Sequence, residues 1–402
     1  MSFQTGLSGL NASSRNLDVI GNNIANANTV GMKASRAEFA NLIATSIGVG
    51  GGNTSGIGVE VATTSQMFSQ GNVNITGNDL DVAINGGGFF QLGMPDGSAA
   101  YTRNGQFKLD NVGNIVTNGG AKLMGYPTDT KGATTSTTIQ PLVLPTTAPI
   151  SANQTTTIAA TLNLDARAPI LPVVSPIATT YGTSLTAFDS QGVTLPVSLY
   201  FSKVTPTAAG TDEWAVYDNP SGATIGSMVF DATGKLSSST IGTITLTPPA
   251  PSIVPAFPVT VDVSKVTQFG ASFAVSSLTQ DGYAPGELVG IKVGEDGVIT
   301  ARYSNGQTQS AGQFALADFR NVQGLAQTGG GNWIETFSSG QPVQGAPGIG
   351  KMGALRAGAL EESNVDLTAE LVNMMTAQRA YQANAQTIKT QDQVLSTLVN
   401  LR

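Results

Sequence analysis

The sequence contains no cysteine and no histidine. Without cysteine there are no disulfide staples and no thiolate metal sites, and without histidine the commonest metal ligand and the commonest general base are missing. Most familiar catalytic constellations are thereby excluded, and no cofactor or catalytic residue is expected. Charge is also scarce. Charged residues make up 11% of the 402-residue chain, and a formal net charge of -7 argues against a surface built to track phosphates, so nucleic acid is not an expected partner. No run of about 18 apolar residues offers a membrane span, and the N-terminus lacks the basic start and apolar core of a cleaved secretory signal. On composition alone the chain reads as cytoplasmic, an inference that fails wherever a dedicated apparatus exports an uncleaved chain.

What the sequence does contain is glycine, 48 residues of it, together with much Thr, Ser and Asn. Gly and Asn supply the positive φ that hairpins need, so the mixture favours strands joined by many turns. An apolar fraction of 40% spread over 402 residues suits two or three modest cores, and a modular chain is expected.

The last 38 residues carry the clearest period, with Leu367, Leu371, Met374, Gln378, Tyr381, Ala385, Ile388, Asp392, Leu395 and Val399 spaced alternately by four and three. This 3.5-residue repeat predicts a helix of about 50 Å with one apolar seam seeking a partner helix, and Ser363 followed by Asp366 offers a capping box at its start. The first 28 residues repeat the pattern more weakly, with Phe3, Leu7, Leu10, Leu17 and Ile24 on the seam. Gly6, Gly9 and Gly21 each cost about 1 kcal/mol relative to Ala, so this segment is expected to order only when paired. An ordinary amphipathic helix lying on a globular domain is the plainer reading of either stripe. Two seams at opposite ends of one chain predict instead that the termini pack together and against neighbouring copies.

Residues 31–71 contain a helix-like piece, Arg36 to Ile47, and a Gly-rich stretch, Gly48 to Gly58, that reads as a linker. From Asn72 the period becomes two, with Val73 and Ile75, Val82 and Ile84, and the FFQL run at Phe89. Pro95 to Gly97, Asn104-Gly105 and the NVGN segment at Asn111 read as successive hairpin tips. The same style returns after Pro285, where LVGIKV and VITARY flank Gly294 to Gly297. Residues 146–284 differ: they are rich in Thr, Ser and Pro, carry four Lys or Arg against eight Asp or Glu, and read as a separate all-β domain whose core comes from VSLYF at Val197, WAVY at Trp214 and MVF at Met228.

The expected fold is therefore multidomain α+β: terminal helices forming a coiled-coil-like α domain, with nested, mostly antiparallel all-β domains between them. The expected division is a helical polymerisation domain at 1–30 and 362–402, a connecting segment at 31–71 and 359–361, an inner β domain at 72–145 and 285–358, and an inserted outer β domain at 146–284.

Asn22, Asn23, Asn26 and Asn28 cluster where the first helix should end, and either cap that end or reach a neighbouring copy. Gln378, Arg379, Gln382, Asn384, Gln386 and Gln391 make polar faces of the last helix, which either meet solvent or line a channel. The Gly86 to Gly88 run lacks the Lys-Ser or Lys-Thr ending of a phosphate loop and reads as a tight turn. Asp79 with Asp81 and Asp212 with Glu213 lack the setting of a glycoside-cleaving pair, and Asp281 and Asp296 precede Gly as turn residues do.

As strings, residues 13–39 (SSRNLDVIGNNIANANTVGMKASRAEF), 361–402, LDVAINGGGFFQL at Leu80, YTRNGQFKLD at Tyr101 and LMGY at Leu123 resemble, in order, the motifs of the flagellar rod and hook protein family. Asn22, Asn23, Asn26 and Gly31 fall in the first of these. Rod members lack a large outermost domain, so the insertion at 146–284 points to the hook class, with a distal rod or hook-filament junction subunit as the alternatives inside the family. The resemblance implies a helical homopolymer, a curved hollow tube in which the terminal helices line a channel and the β domains face outward, working as a universal joint between rod and filament. It also implies extracellular placement without a cleaved signal, and as partners the distal rod protein, the hook cap, the hook-filament junction protein and the flagellar type III export apparatus. The rivals from other classes are a secreted β-rich adhesin and a polysaccharide-cleaving enzyme, neither of which has a use for paired terminal seams.

Overall fold

The computed structural model describes residues 2–43, 56–146, 149–171, 179–219 and 224–400. Two long helices bracket the chain, α1 (Ser2–Ala25) and α2 (Leu367–Asn400), with strands between them. The chain divides into two compact units, Met1–Thr147 with Gly290–Arg302 and Thr308–Arg402, and Ala148–Val289 with Tyr303–Gln307.

In the first unit α1 ends in a run of turns, where Asn26 Nδ2 donates to Asn22 O and Thr29 N donates to Asn26 O. The chain then enters β1 (Ser35–Ile43), which pairs antiparallel with β2 (Gly56–Gln66), Ser35 facing Gln66 and Ile43 facing Gly56. This replaces the helix expected from Arg36; the part of that expectation at residues 44–47, and most of the Gly-rich linker, lie outside the described residues. The physical reason is the partner. The facing strand carries Val59, Val61, Thr63 and Thr64, β-branched residues that suit a pleated surface, and pairing along the whole of β1 overrides its local helical tendency.

Strand β3 (Val73–Ile75) pairs with Ala359–Glu361, and β4 (Val82–Asn85) pairs with Ala354–Ala357, so residues from the two halves of the chain meet in pairs before the main sheet begins. The main sheet runs through Val298–Tyr303, Thr308–Phe314, β9, β5, β6, Asn332–Ile334 and Ala326–Gly329, where β5 is Phe89–Gly93, β6 is Ala99–Thr102 and β9 is Lys122–Tyr126. Phe90, Leu92, Phe107, Ile115, Leu123, Phe314 and Leu316 close its core. Pro95 to Gly97 forms the tip between β5 and β6, and Asp110 to Asn114 forms the tip between β7 (Lys108–Leu109) and β8 (Ile115–Val116). Asn104-Gly105 is no hairpin tip. Gly105 O accepts from Val82 N and Gln106 bridges Asp81, because this loop is pressed onto β4 and cannot fold back on itself.

Among the described residues the second unit holds two five-stranded sheets. One runs Tyr181–Phe188, Thr194–Val204, Asp212–Tyr217, Thr224–Phe230 and Leu236–Ser239, antiparallel throughout. The other is organised on Thr157–Asp165, which pairs antiparallel with Ala274–Gln280 and parallel with Phe257–Asp262 and Thr267–Phe269. Strict alternation of buried and part-exposed residues along Thr157–Asp165 aims Leu162 and Leu164 at Leu199, Phe201, Trp214, Val216, Met228 and Phe230. The period-two runs at Val197, Trp214 and Met228 thus supply this core, as their pattern predicts.

Candidate functional site

Lys33, Arg103 and Glu361 meet in the first unit where helices, connecting strands and the main sheet converge. Lys33 Nζ lies 2.6 Å from Glu361 Oε1 and Arg103 Nη1 lies 3.2 Å from Glu361 Oε2, with the Lys33 and Glu361 side chains fully buried. Backbone groups complete the cage. Lys33 Nζ donates to Ser69 O, Gly71 N donates to Glu361 Oε1, and Arg103 Nη2 donates to Gly86 O. The Arg103 guanidinium also sits over the Phe89 ring, 5.3 Å from its centroid. Burial pushes the Lys33 ammonium below the usual lysine range despite the opposing pull of Glu361, and burial lowers Arg103 in the same way. Two cations thus share one carboxylate, so withdrawing that carboxylate would leave both uncompensated, a loss of about 3–5 kcal/mol.

Neighbouring contacts extend the cage. Gly31 N donates to Glu361 O, and Gly31 has φ +71°, with a hypothetical Cβ only 2.6 Å from Asn104 N. Both the left-handed backbone and the close approach demand glycine there. Asn364 Oδ1 accepts from Ala34 N while its Nδ2 donates to Met67 O and Ser69 O. The buried Asn23 amide pairs with Ser35, donating to its carbonyl at 2.8 Å and accepting from its N–H at 2.9 Å. A second latch is aromatic: Phe68 packs on Phe89 and Trp333, centroids 5.7 and 5.6 Å away, and Trp333 Nε1 donates to Gln66 Oε1. Phe319 stacks edge-on against Tyr101 at 4.8 Å behind them.

The terminal helices touch through one residue of the expected seam, Ile388, and through small and polar residues beside it. Gly6 lies against Ile388 and Gly9 against Asn384, with hypothetical Cβ atoms 3.1 and 3.0 Å from those side chains. Asn384 Nδ2 reaches Ser13 Oγ, Asn23 Nδ2 reaches Glu370 Oε1, each at 3.4 Å, and Ile20 and Ala377 are buried. The expected seams are not brought together as one stripe. Phe3 and Leu7, each 46% exposed, and Leu367, Leu371, Tyr381 and Leu395, between 37% and 53% exposed, face outward. Leu10, Leu17, Ile24, Met374 and Ile388 are half-buried, and the Val399 side chain lies outside the described residues. The small residues Gly6, Gly9 and Ser13 let the two backbones approach closely, which a row of leucines would prevent. Asn22 is exposed and Asn26 bonds back to Asn22. The cap of α2 is likewise shifted from its expected place. Asp366, not Ser363, accepts from Thr368 N and Ala369 N, because the helix begins one residue after it.

Three of the four carboxylates weighed as catalytic pairs have structural partners. Asp81 accepts from Thr76 Oγ1, Asp212 accepts from Gln268 Nε2 and pairs with Lys203 at 3.0 Å, and Glu213 accepts from Thr207. Asp281 accepts from the Thr156 and Thr157 N–H groups, and Asp296 from Val298 N. Gly86 N donates to Gln70 Oε1 in a bend, so that N–H is already occupied. Lys33, Arg103 and Glu361 escaped residue-level reading, although each lies in one of the strings that carried the resemblance. Their common membership in those strings was the available signal.

Comparison with known proteins agrees along the length of the chain. Family models match at residues 3–33 (flagella basal body rod protein), 83–160 (flagellar hook protein FlgE/F/G D1 domain), 163–283 (flagellar basal body protein FlaE D2 domain) and 356–401 (flagellar basal body rod FlgEFG protein C-terminal). The flagellar hook protein FlgE of Escherichia coli K12 is 43% identical over all of both chains. The FlgE of Rhizobium meliloti is 33% identical over all of this chain and 98% of that one. Among solved structures, the flagellar hook protein FlgE2 of Helicobacter pylori superposes with a TM-score of 0.53 over 72% of this chain and 99% of that one, at 14% identity, a likeness of fold.

Proposed function

The chain belongs to the flagellar hook protein family and is a structural subunit of the flagellar hook, and we propose that its terminal helices carry polymerisation while the Lys33–Glu361–Arg103 cage passes load from them to the β layers. The observation behind the first part is the outward apolar stripe. Phe3, Leu7, Leu367, Leu371, Tyr381 and Leu395 stay exposed on helices already paired through Gly6, Gly9, Asn384 and Ile388, so a neighbouring copy would cover them. The four-part division into helical, connecting, inner and outer domains belongs to the same reading. Helices would build the tube wall, and weakly charged outer units would slide past one another as the tube bends. A universal joint needs both, cohesion that survives each turn and contacts small enough to be remade. Extracellular placement, export without a cleaved signal, and contact with the distal rod protein, the hook cap, the hook-filament junction protein and the flagellar type III export apparatus complete the proposal.

Leu371→Ser combined with Leu395→Ser tests it. Both side chains are about half exposed, so each change removes about 0.8–1.5 kcal/mol of burial if the stripe is covered in the polymer, and the two together raise the concentration needed for tube growth by at least about tenfold. Helical content of the monomer should hardly change, since both side chains are exposed there. Tubes growing at the unaltered concentration, counted by electron microscopy, would remove the stripe from the assembly surface.

A further inference from the structure

We infer that Asn118 is a site of spontaneous covalent modification, where the chain converts an asparagine to aspartate and isoaspartate through a cyclic imide with Gly119. The sequence holds four Asn-Gly pairs, at 85, 104, 118 and 305. Such pairs are reactive because glycine has no Cβ to shield its backbone nitrogen, which can attack the neighbouring carboxamide carbon. The structure separates them. Among the described residues, neither the Asn118 carboxamide nor the Gly119 N–H has a hydrogen-bond partner, and a Cβ on Gly119 would meet only Thr117 Oγ1 at 3.9 Å. Asn118, Gly119 and Gly120 are all exposed, at the tip joining β8 to β9.

Each of the other three pairs is held. At Asn85 the nucleophile is occupied, Gly86 N donating to Gln70 Oε1 at 3.1 Å. At Asn104 the carboxamide oxygen accepts from Gln106 N at 3.0 Å, and Gly105 is buried against the Val82 carbonyl. At Asn305 both partners are tied: Nδ2 donates to Ala284 O, Oδ1 accepts from Gln307 N, and Gly306 N donates to Tyr303 O. One hydrogen bond of ordinary net worth that must open first slows the reaction by up to about tenfold.

The step balances without any co-reactant but water. Gly119 N, losing its proton, forms a bond to Asn118 Cγ; the Cγ–Nδ2 bond breaks and ammonia leaves. Water then opens the imide at either carbonyl, giving aspartate at one and isoaspartate at the other. Both products add a negative charge at the tip. Isoaspartate also inserts a backbone carbon beside Thr117, whose N–H donates to Ala121 O, immediately before the buried Ala121 and Leu123. An extra atom there disturbs the register of a short hairpin that feeds the inner core.

The test is incubation of the full-length chain in warm, mildly alkaline buffer, with peptide mass spectrometry over time. The expected result is a gain of about one mass unit on the peptide carrying Asn118, as an aspartate and isoaspartate doublet. It should appear about tenfold faster than any gain at Asn85, Asn104 or Asn305. Asn118→Gln should abolish the doublet and Gly119→Ala should slow it, with the other three sites unchanged. Equal rates at all four sites, or a faster gain at any of the other three, would overturn the assignment. None of these readouts depends on polymerisation.

Discussion

The Ala148–Val289 unit closes over Leu162, Phe201, Trp214, Met228 and Phe230, all apolar, whereas the junction of the other unit closes over Lys33, Arg103 and Glu361. Apolar burial is non-directional and tolerates repacking, so a sandwich built on it can absorb distortion and substitution while keeping its fold. A buried carboxylate shared by two cations has one good geometry and is heavily penalised when any partner withdraws. On the proposed function, tolerance of distortion would belong to the Ala148–Val289 unit and fixed geometry to the Lys33–Glu361–Arg103 junction.

Separate reporters make the contrast measurable, because the two tryptophans fall one in each unit, Trp214 in the sandwich and Trp333 in the aromatic latch. The largest effect is expected for Glu361→Gln, which leaves Lys33 and Arg103 buried without a counter-charge. The urea transition reported by Trp333 should lose about 3–5 kcal/mol, and that of Trp214 should not move. Met228→Ala is the counterpart in the sandwich. Met228 is fully buried, so the cavity should cost about 3 kcal/mol in the Trp214 transition alone. Were Glu361→Gln nearly neutral, the cage would be replaceable packing and the proposed difference between the units would vanish.

How much of this was legible depended on whether the partner lay nearby in sequence. The alternation along Val197–Phe201 and at Trp214 needed only itself, and the tips DNVGN, DTKGA, DSQGV and DATGK follow one local rule. In each, the Asp Oδ1 accepts N–H groups two and four residues on. Strand β1 reads as helix in isolation because its identity comes from β2, which lies beyond a Gly-rich stretch that reads as a linker and so does not announce a pairing. The terminal stripe is legible as apolar, yet on α1 the contact inside the chain uses Gly6, Gly9 and Ser13, whose smallness reads as weakness in a helix until the second backbone is present. Lys33 and Glu361 stand 328 positions apart, and a lone charge in a sequence does not announce whether it will be buried.

The smallest expected effect concerns acid, and it compares the same device in both units. The Asn114 side chain and backbone N–H groups hold the Asp110 carboxyl below its ordinary range, and Thr233 with the Lys235 N–H does the same for Asp231. A carboxyl whose folded value is depressed stabilises the fold above its unfolded value, and that contribution is lost as pH falls through the folded value. Both tips should therefore weaken below about pH 4, where the unfolded chain takes up protons first. Asp231→Asn keeps the Oδ1 acceptor that serves Thr233 and Lys235, so it should flatten the acid slope of the Trp214 transition at little neutral-pH cost. Asp110→Asn loses the Oδ2 acceptor used by the Asn114 amide and should flatten the Trp333 slope with a visible loss at neutral pH. If either substitution changed the slope reported from the opposite unit, the two would not respond independently, and the division between compliant sandwich and fixed junction would have to be redrawn.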